Sequence, residues 1–295
     1  MNDIDYIIPM VFPDDKEWEQ DLRRAGGRRP AKAVRFRSWG TERLLVQCVR
    51  RNLPFVRDII ILLARDSQVQ PWMETEDVRV VTHAEFIPKK HLPTFNSCTI
   101  EMYLHRIPGL SDMFLYSNDD LFPLSPLRES DFFRDGKPCQ HHEWRDKTIP
   151  ASTFHKQCLA GINFAGEEFG RRYHDGWLKG GHSIAPILKA TCNRLWQRGG
   201  KAIEGSITPF RAPWNFNQYI YSWHQHFAGN YIDHVPKRTF LSVKTQTVEE
   251  MTAAILQDDP GILCINDHER LADFERYAEA VRQALSEKLN ISPIK

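Results

Sequence analysis

The sequence contains no CxxC unit. Its six cysteines, Cys48, Cys98, Cys139, Cys158, Cys192 and Cys264, stand well apart. They read as free thiols in a reducing compartment rather than as a disulfide frame. No charge sign dominates: the formal net charge is +1, which speaks against a general nucleic-acid binder. No long apolar run is present, and IIILLA at residues 59–64 falls far short of a membrane span. The opening MNDIDYIIPM has acids where a signal peptide needs Lys or Arg. There is no internal repeat and no linker long enough to split the chain. These absences lead to the expectation of a soluble, cytoplasmic protein without nucleic acid as a partner. A peripheral contact at the inner face of a membrane stays open, and nothing sets the oligomeric state.

What is present suits one large domain. The 295 residues are 41% hydrophobic and 26% charged, ample for a sizeable core. IDYIIP (4–9) reads as a buried strand stopped by Pro9, and residues 12–35 as polar and irregular. A helix follows from Thr41, with Leu44, Leu45, Cys48 and Val49 on one face and Pro54 ending it. DIIILLA (58–64) is continuously apolar and Ile-rich, as a fully buried parallel strand should be. VRVVTH (78–83) and SDMFLYS (111–117) read as further strands, with a helix over 96–107 between them.

This alternation predicts an α/β fold, with a mostly parallel sheet flanked by helices. Residues 1–130 and 236–295 are expected to form the core of a single domain spanning 1–295. Residues 131–235, rich in Trp, His, Gly and Pro, are expected to pack over the sheet edge as short helices and loops. TVEEMTAAILQDD (247–259) predicts a capped helix, GILCIND (261–267) a strand, and the following stretch an amphipathic helix.

The stretch FLYSNDDLFPLSP (114–126) raises the functional question, because an apolar strand ends there on Asn118-Asp119-Asp120. Open parallel sheets bind ligands beyond the carboxyl ends of their strands. Two carboxylates there suit a hard ion, Mg²⁺ or Mn²⁺, shared with substrate phosphates. A plain strand-end turn would use the same residues. Nearby, Asn96 and Ser97 open a helix, and Glu101 and His105 lie four apart. Arg35 and Arg37 flank Phe36 as a phosphate fork or a solvated basic loop. His182 follows two glycines in GGHSIAP, where an imidazole could accept a hydroxyl proton. Arg211 stands among prolines and aromatics in TPFRAPWNF. His141-His142-Glu143, His224 and His226 lack the spacing of a helical metal site and read as structural.

These stretches resemble the Stealth family. RFRSWGTERLLVQCVRRNLPFVRDIIIL and HLPTFNSCTIEMYLHRIPGLSDMFLYSNDDLF resemble its long second block. IDYIIPMVFPDDKEW is similar to the first block, GGHSIAPILKA through TPFRAPWNFNQYIYSWHQHFAG to the third, and ILCINDHERLADFERY to the fourth.

The resemblance implies a Rossmann-like, GT-A-like nucleotide-sugar core. It also implies transfer of a sugar-1-phosphate to a saccharide hydroxyl with release of nucleoside monophosphate, in capsule or exopolysaccharide synthesis. By position it implies site roles for Arg35, Arg37, Asn96, Ser97, Glu101, His105, Asn118, Asp119, Asp120, His182, Arg211, Asn266 and Asp267. Of these, Asp119 and Asp120 would hold Mg²⁺ or Mn²⁺, His182 would be the base and Arg211 the charge clamp.

Two departures stand out. Pro9, Met10 and Phe12 replace the family's Thr-Trp-Val-Asp-Gly, although Asp14 and Asp15 follow, and Pro293-Ile294 replace its terminal Phe-Glu. The donor base, the sugar and the acceptor are left unnamed. Two alternatives stay open: a metal-dependent glycosyltransferase releasing nucleoside diphosphate, and a carbohydrate-binding protein without turnover.

Overall fold

The computed structural model describes residues 3–26, 36–146, 151–268, 271 and 273–291. Arg35, Pro293 and Ile294 lie outside them. In the first part of the chain come β1 (Ile4–Pro9), α1 (Lys16–Arg24), α2 (Glu42–Asn52), β2 (Val56–Leu63), β3 (Arg79–Thr82), α3 (His83–Phe86), α4 (Ser97–Tyr103), β4 (Met113–Tyr116) and β5 (Leu121–Pro123). The middle adds β6 (Phe133–Arg134), β7 (Lys137–Gln140), β8 (His142–Asp146), α5 (Thr153–Gly166), β9 (Gly176–Gly180), β10 (Ala185–Leu188), α6 (Lys189–Ser206) and α7 (Tyr219–Phe227). The chain closes with β11 (Ile232–Asp233), β12 (Arg238–Ser242), α8 (Val248–Leu256), β13 (Ile262–Asn266) and α9 (Phe274–Leu289).

The main sheet has the order β10-β4-β1-β2-β3. Its four central and inner strands run parallel, and β10 joins antiparallel to β4 at the edge. Alternate residues serve opposite faces. Ile4, Tyr6, Ile8, Ile59, Ile61 and Leu63 pack toward α2 and α9, while Ile7, Ile60, Leu62, Phe114 and Tyr116 pack toward α4–α7. Burial on both faces is why these strands read as unbroken apolar runs. A second sheet, β12-β13-β5, abuts the first. The chain crosses from β4 to β5 through Asn118-Asp119-Asp120: Ser117 N donates to Ile7 O at 2.9 Å in the main sheet, and Asp120 O accepts from Ile265 N at 3.0 Å in the second.

Several expectations need correction. Residues 12–35 are not simply irregular, because α1 forms there. Asp15 caps it by accepting from Glu17 N at 2.7 Å and Trp18 N at 3.2 Å, and Trp18 and Leu22 are buried on one face. The helix expected over 96–107 is α-helical only to Tyr103 and then tightens to a 3₁₀ turn at Leu104–Arg106. Pro108 explains the early end, since the residue before a proline disfavours helical backbone. Thr41 stands at the N-terminus of α2 but makes no side-chain cap bond. The middle segment carries more than short helices and loops: α5 spans 14 residues, α6 is two helical stretches meeting at a kink at Gly199, and β10 belongs to the main sheet. Pro186 within β10 masked that strand in the sequence, yet an edge strand tolerates proline.

Candidate active site

The strand order reverses between β1 and β4, since β2 and β3 lie on one side of β1 and β4 on the other. A crevice opens at such a switch point, outside the carboxyl ends of the strands. Here it holds a cavity of ≈ 220 Å³. Pro9, Met10 and Val11 at the end of β1 form one wall, and Asn118, Asp119 and Asp120 beyond β4 form another. Trp18, Phe36 and Phe95 close the aromatic side, with Trp18 edge-on to Phe36 at 5.3 Å and to Phe95 at 5.5 Å. Arg211 and Ser97 line the opposite rim. A second cavity of ≈ 160 Å³ lies across the acid pair, lined by Arg37, Trp39, Glu42, Asp119, Asp120 and Asp267 among others.

His182 reaches this centre from the turn after β9. Its Nε2 lies 3.0 Å from Asp120 Oδ2 and 3.2 Å from Oδ1. Burial disfavours the charged imidazole, but the hydrogen bond and charge of Asp120, with Asp119 behind it, win and raise its pKa. Asp119 is pushed up from the ordinary carboxylate range by desolvation in the cleft, then by Asp120 and Glu42. Because Asp119 is exposed at the cleft floor, solvent screening tempers that effect.

Arg211 donates to Ser97 Oγ at 2.6 Å. Behind them Glu101 is 6% exposed, accepting from Gln218 N at 2.7 Å and Tyr116 Oη at 3.2 Å. Its pKa is raised by burial, against the pull of Gln218 N–H and of Arg211. Ser97 and Glu101 therefore hold Arg211 in place.

Asn96 lines the cavity, yet its side chain is already engaged. It accepts from Cys98 N at 3.1 Å and donates to Thr208 O at 3.1 Å and Asn215 Oδ1 at 3.0 Å. It ties the loop bearing Arg211 to α4. Arg37 makes a two-point contact with Asp267, with Nε at 2.9 Å from Oδ2, and Trp39 Nε1 donates to the same oxygen at 3.2 Å. That contact latches the second block to the fourth.

The structure does not bring His105 to the lining of either cavity. The 3₁₀ turn swings its ring against Trp196, 5.6 Å between centroids, and burial lowers its pKa to about 4. Asn266 also stands off, with Nδ2 3.5 Å from Ser242 Oγ. Asp15 is occupied as a helix cap and does not line either cavity, so it replaces no acid of the first block. Trp18, carried by the helix that Asp15 caps, does supply an aromatic there. Trp18, Phe95 and Cys264 were missed by sequence reasoning. The acid cap followed by Trp18 and Leu22 four apart could have revealed α1 and hence Trp18.

The donor set bears on metal binding. Asp120, His182 and Cys264 bring one atom each within 4.8 Å of one another. Cys264 is a poor ligand: its thiol sits 3.7 Å from Asp120 Oδ2, and burial, followed by the charge of Asp120, raises its pKa so that it stays protonated. The crowded oxygens of Asp119 and Asp120 fit a hard divalent ion instead. Asp119 is the freer of the two, because Asp120 already faces His182.

A switch-point cleft joining an aromatic wall, paired acids, a carboxylate-bound histidine and an anchored arginine defines an α/β enzyme. The family model described as Stealth protein CR2, conserved region 2, matches residues 35–140. The chain is 27% identical over 327 residues to the capsular polysaccharide phosphotransferase WcwK of Streptococcus pneumoniae, covering 98% of each chain. It is 26% identical over 326 residues to the receptor polysaccharide phosphotransferase WefC of Streptococcus oralis, again covering 98% of each. The solved galactosyltransferase LgtC, in complex with donor and acceptor sugar analogues, aligns over 99% of this chain and 97% of its own with TM-score 0.44 and 11% identity. That likeness carries no argument about activity. Residues 35–140 thus carry the conserved region 2 of the Stealth family, and the chain is similar over nearly its whole length to polysaccharide phosphotransferases. Among the described residues, no helix is long and apolar enough to cross a membrane.

Proposed function

We propose that this protein transfers a sugar-1-phosphate from a nucleotide-activated sugar to a hydroxyl of a saccharide acceptor, releasing nucleoside monophosphate, in capsular or exopolysaccharide synthesis. The observation that supports it best is convergence: Asp119, Asp120, His182 and Arg211, far apart in sequence, meet at one cleft. The names of the relatives, polysaccharide phosphotransferases, point the same way.

In this reading the nucleotide occupies the aromatic-walled cavity with its pyrophosphate toward the acids. Asp119 and Asp120 would hold Mg²⁺ or Mn²⁺, which when bound neutralises phosphate charge. Asp120 holds His182 through Nε2, leaving Nδ1 to take the acceptor's proton. Arg211 presents a planar fork of donors that can grip two phosphate oxygens. As the acceptor oxygen bonds to phosphorus, the bond to the departing nucleoside monophosphate breaks, and its new charge falls to the same clamp. Arg37 and Asp267 frame the second cavity, while Asn96, Ser97 and Glu101 act by positioning Arg211 and its loop.

Incubation with a panel of nucleotide sugars, Mg²⁺ and saccharide acceptors, followed by identification of the released nucleotide, tests the reading. Nucleoside monophosphate is expected. Diphosphate would make the protein a glycosyltransferase and overturn it.

A further inference from the structure

We infer that the cleft side beyond His182 is a subsite for an anionic group on the acceptor, built around Arg238. This rests on the reading of His182 as the residue that meets the acceptor hydroxyl. Arg238 opens β12, and its guanidinium lies directly on the backbone turn before His182. A Cβ placed on Gly181 would stand 1.1 Å from Arg238 Nη1. Glycine leaves room for this approach, and a side chain there would make the guanidinium swing aside. Arg238 is exposed and makes no hydrogen bond or ion pair among the described residues.

Arg238 borders a cavity of ≈ 50 Å³ with Gly181, Ser183, His142 and Tyr219. That is room for one functional group rather than a sugar ring. Ser183 Oγ and His142 Nδ1 are buried there without partners. Buried polar atoms of this kind normally find a partner, and a guanidinium can only donate. The group that satisfies a free guanidinium beside a hydroxyl carries negative charge, as a carboxylate or a phosphate does.

His182 stands between the two sides. Its ring touches Asp120 of the aromatic-walled cavity, while its neighbours Gly181 and Ser183 line this one. Phe240, two residues along β12, shares the face of Arg238 and is 56% exposed. A sugar ring could rest its apolar face there. The ligand class is therefore a saccharide bearing a carboxylate or phosphate group near the accepting hydroxyl.

Calorimetric titration of the full chain with glucuronate, glucose 6-phosphate and neutral glucose tests this. At least one anionic sugar should bind better than glucose, and its identity tells carboxylate from phosphate. Arg238→Gln should weaken that binding by about 10–100-fold, the loss of a charge-assisted contact, with its melting curve unchanged. Arg238→Lys should keep part of it, and Arg211→Gln all of it. Glucose binding as well as both anions, no effect of Arg238→Gln, or loss in Arg211→Gln alone would overturn the subsite. The nucleotide-release assay is separate: diphosphate release sinks the proposed reaction while leaving this binding result standing.

Discussion

His182 Nε2 sits 3.0 Å from Asp120 Oδ2, joining the turn after β9 to the end of β4 across 62 positions of chain. One carboxylate thus orients the imidazole and also belongs to the acid pair. In the proposed mechanism base and ion site share a residue, so damage to Asp120 should disable both.

His182→Ala should lower turnover by about 10²–10⁴-fold with donor affinity nearly unchanged. The base works only when neutral, and its pKa is raised above the ordinary histidine value. The wild-type rate should therefore climb with pH through a limb above that value. The limb should vanish in the variant. Near wild-type turnover of His182→Ala at saturating donor and acceptor would remove it as the base.

Asp119→Asn should abolish activity, as should EDTA on the wild type. The stability effect has the opposite sign. A carboxyl whose folded pKa is raised above its unfolded value weakens the fold as pH rises past the unfolded value, because Asp119 must ionise where it is poorly solvated and, secondly, beside Asp120 and Glu42. Metal-free Asp119→Asn should then melt no lower than wild type near neutral pH, and the difference should shrink when Mg²⁺ is added. Full turnover in EDTA would retire the metal role.

The Arg37–Asp267 latch should show as coupling. Both side chains are largely shielded, 16% and 12% exposed. Removing either leaves the other charge poorly paired, at a cost of about 1–3 kcal/mol. Arg37→Ala and Asp267→Ala should each lower the melting temperature, and the double variant should cost less than their sum. Strict additivity in denaturant titrations would show that no latch exists.

His83 is 5% exposed and held neutral by burial, which lowers its pKa to about 4. Its folded pKa lies below its unfolded value. The stability of the neutral form is complete above about 6.5 and is lost as pH falls from there toward 4. His83→Gln should flatten the fall in melting temperature over that window. An unaltered slope would assign the acid sensitivity to other groups.

The sheet was legible because strands buried on both faces cannot hide: Ile59–Leu63 has no polar residue to confuse its reading. The placement of the acid pair at the cleft was legible because open parallel sheets form their crevice beyond the carboxyl ends of the strands, although a plain strand-end turn would have used the same residues. His105 misled, since its position four after Glu101 assumes a continuous α-helix, and Pro108 tightens the turn. The role of Asn96 was hidden because its partners Thr208 and Asn215 lie more than a hundred residues away. The Arg238–Gly181 contact likewise exists only in three dimensions.

The passage of the chain from one sheet to the other through Asn118-Asp119-Asp120 has a consequence for assembly. Ser117 is pinned to the main sheet and Asp120 to β13 of the second, so the acids reach their places only when both sheets have docked. A folding intermediate with the second sheet adrift would have no assembled acid pair. On the proposed reading, catalytic competence therefore depends on the docking of the two sheets and not on the main sheet alone.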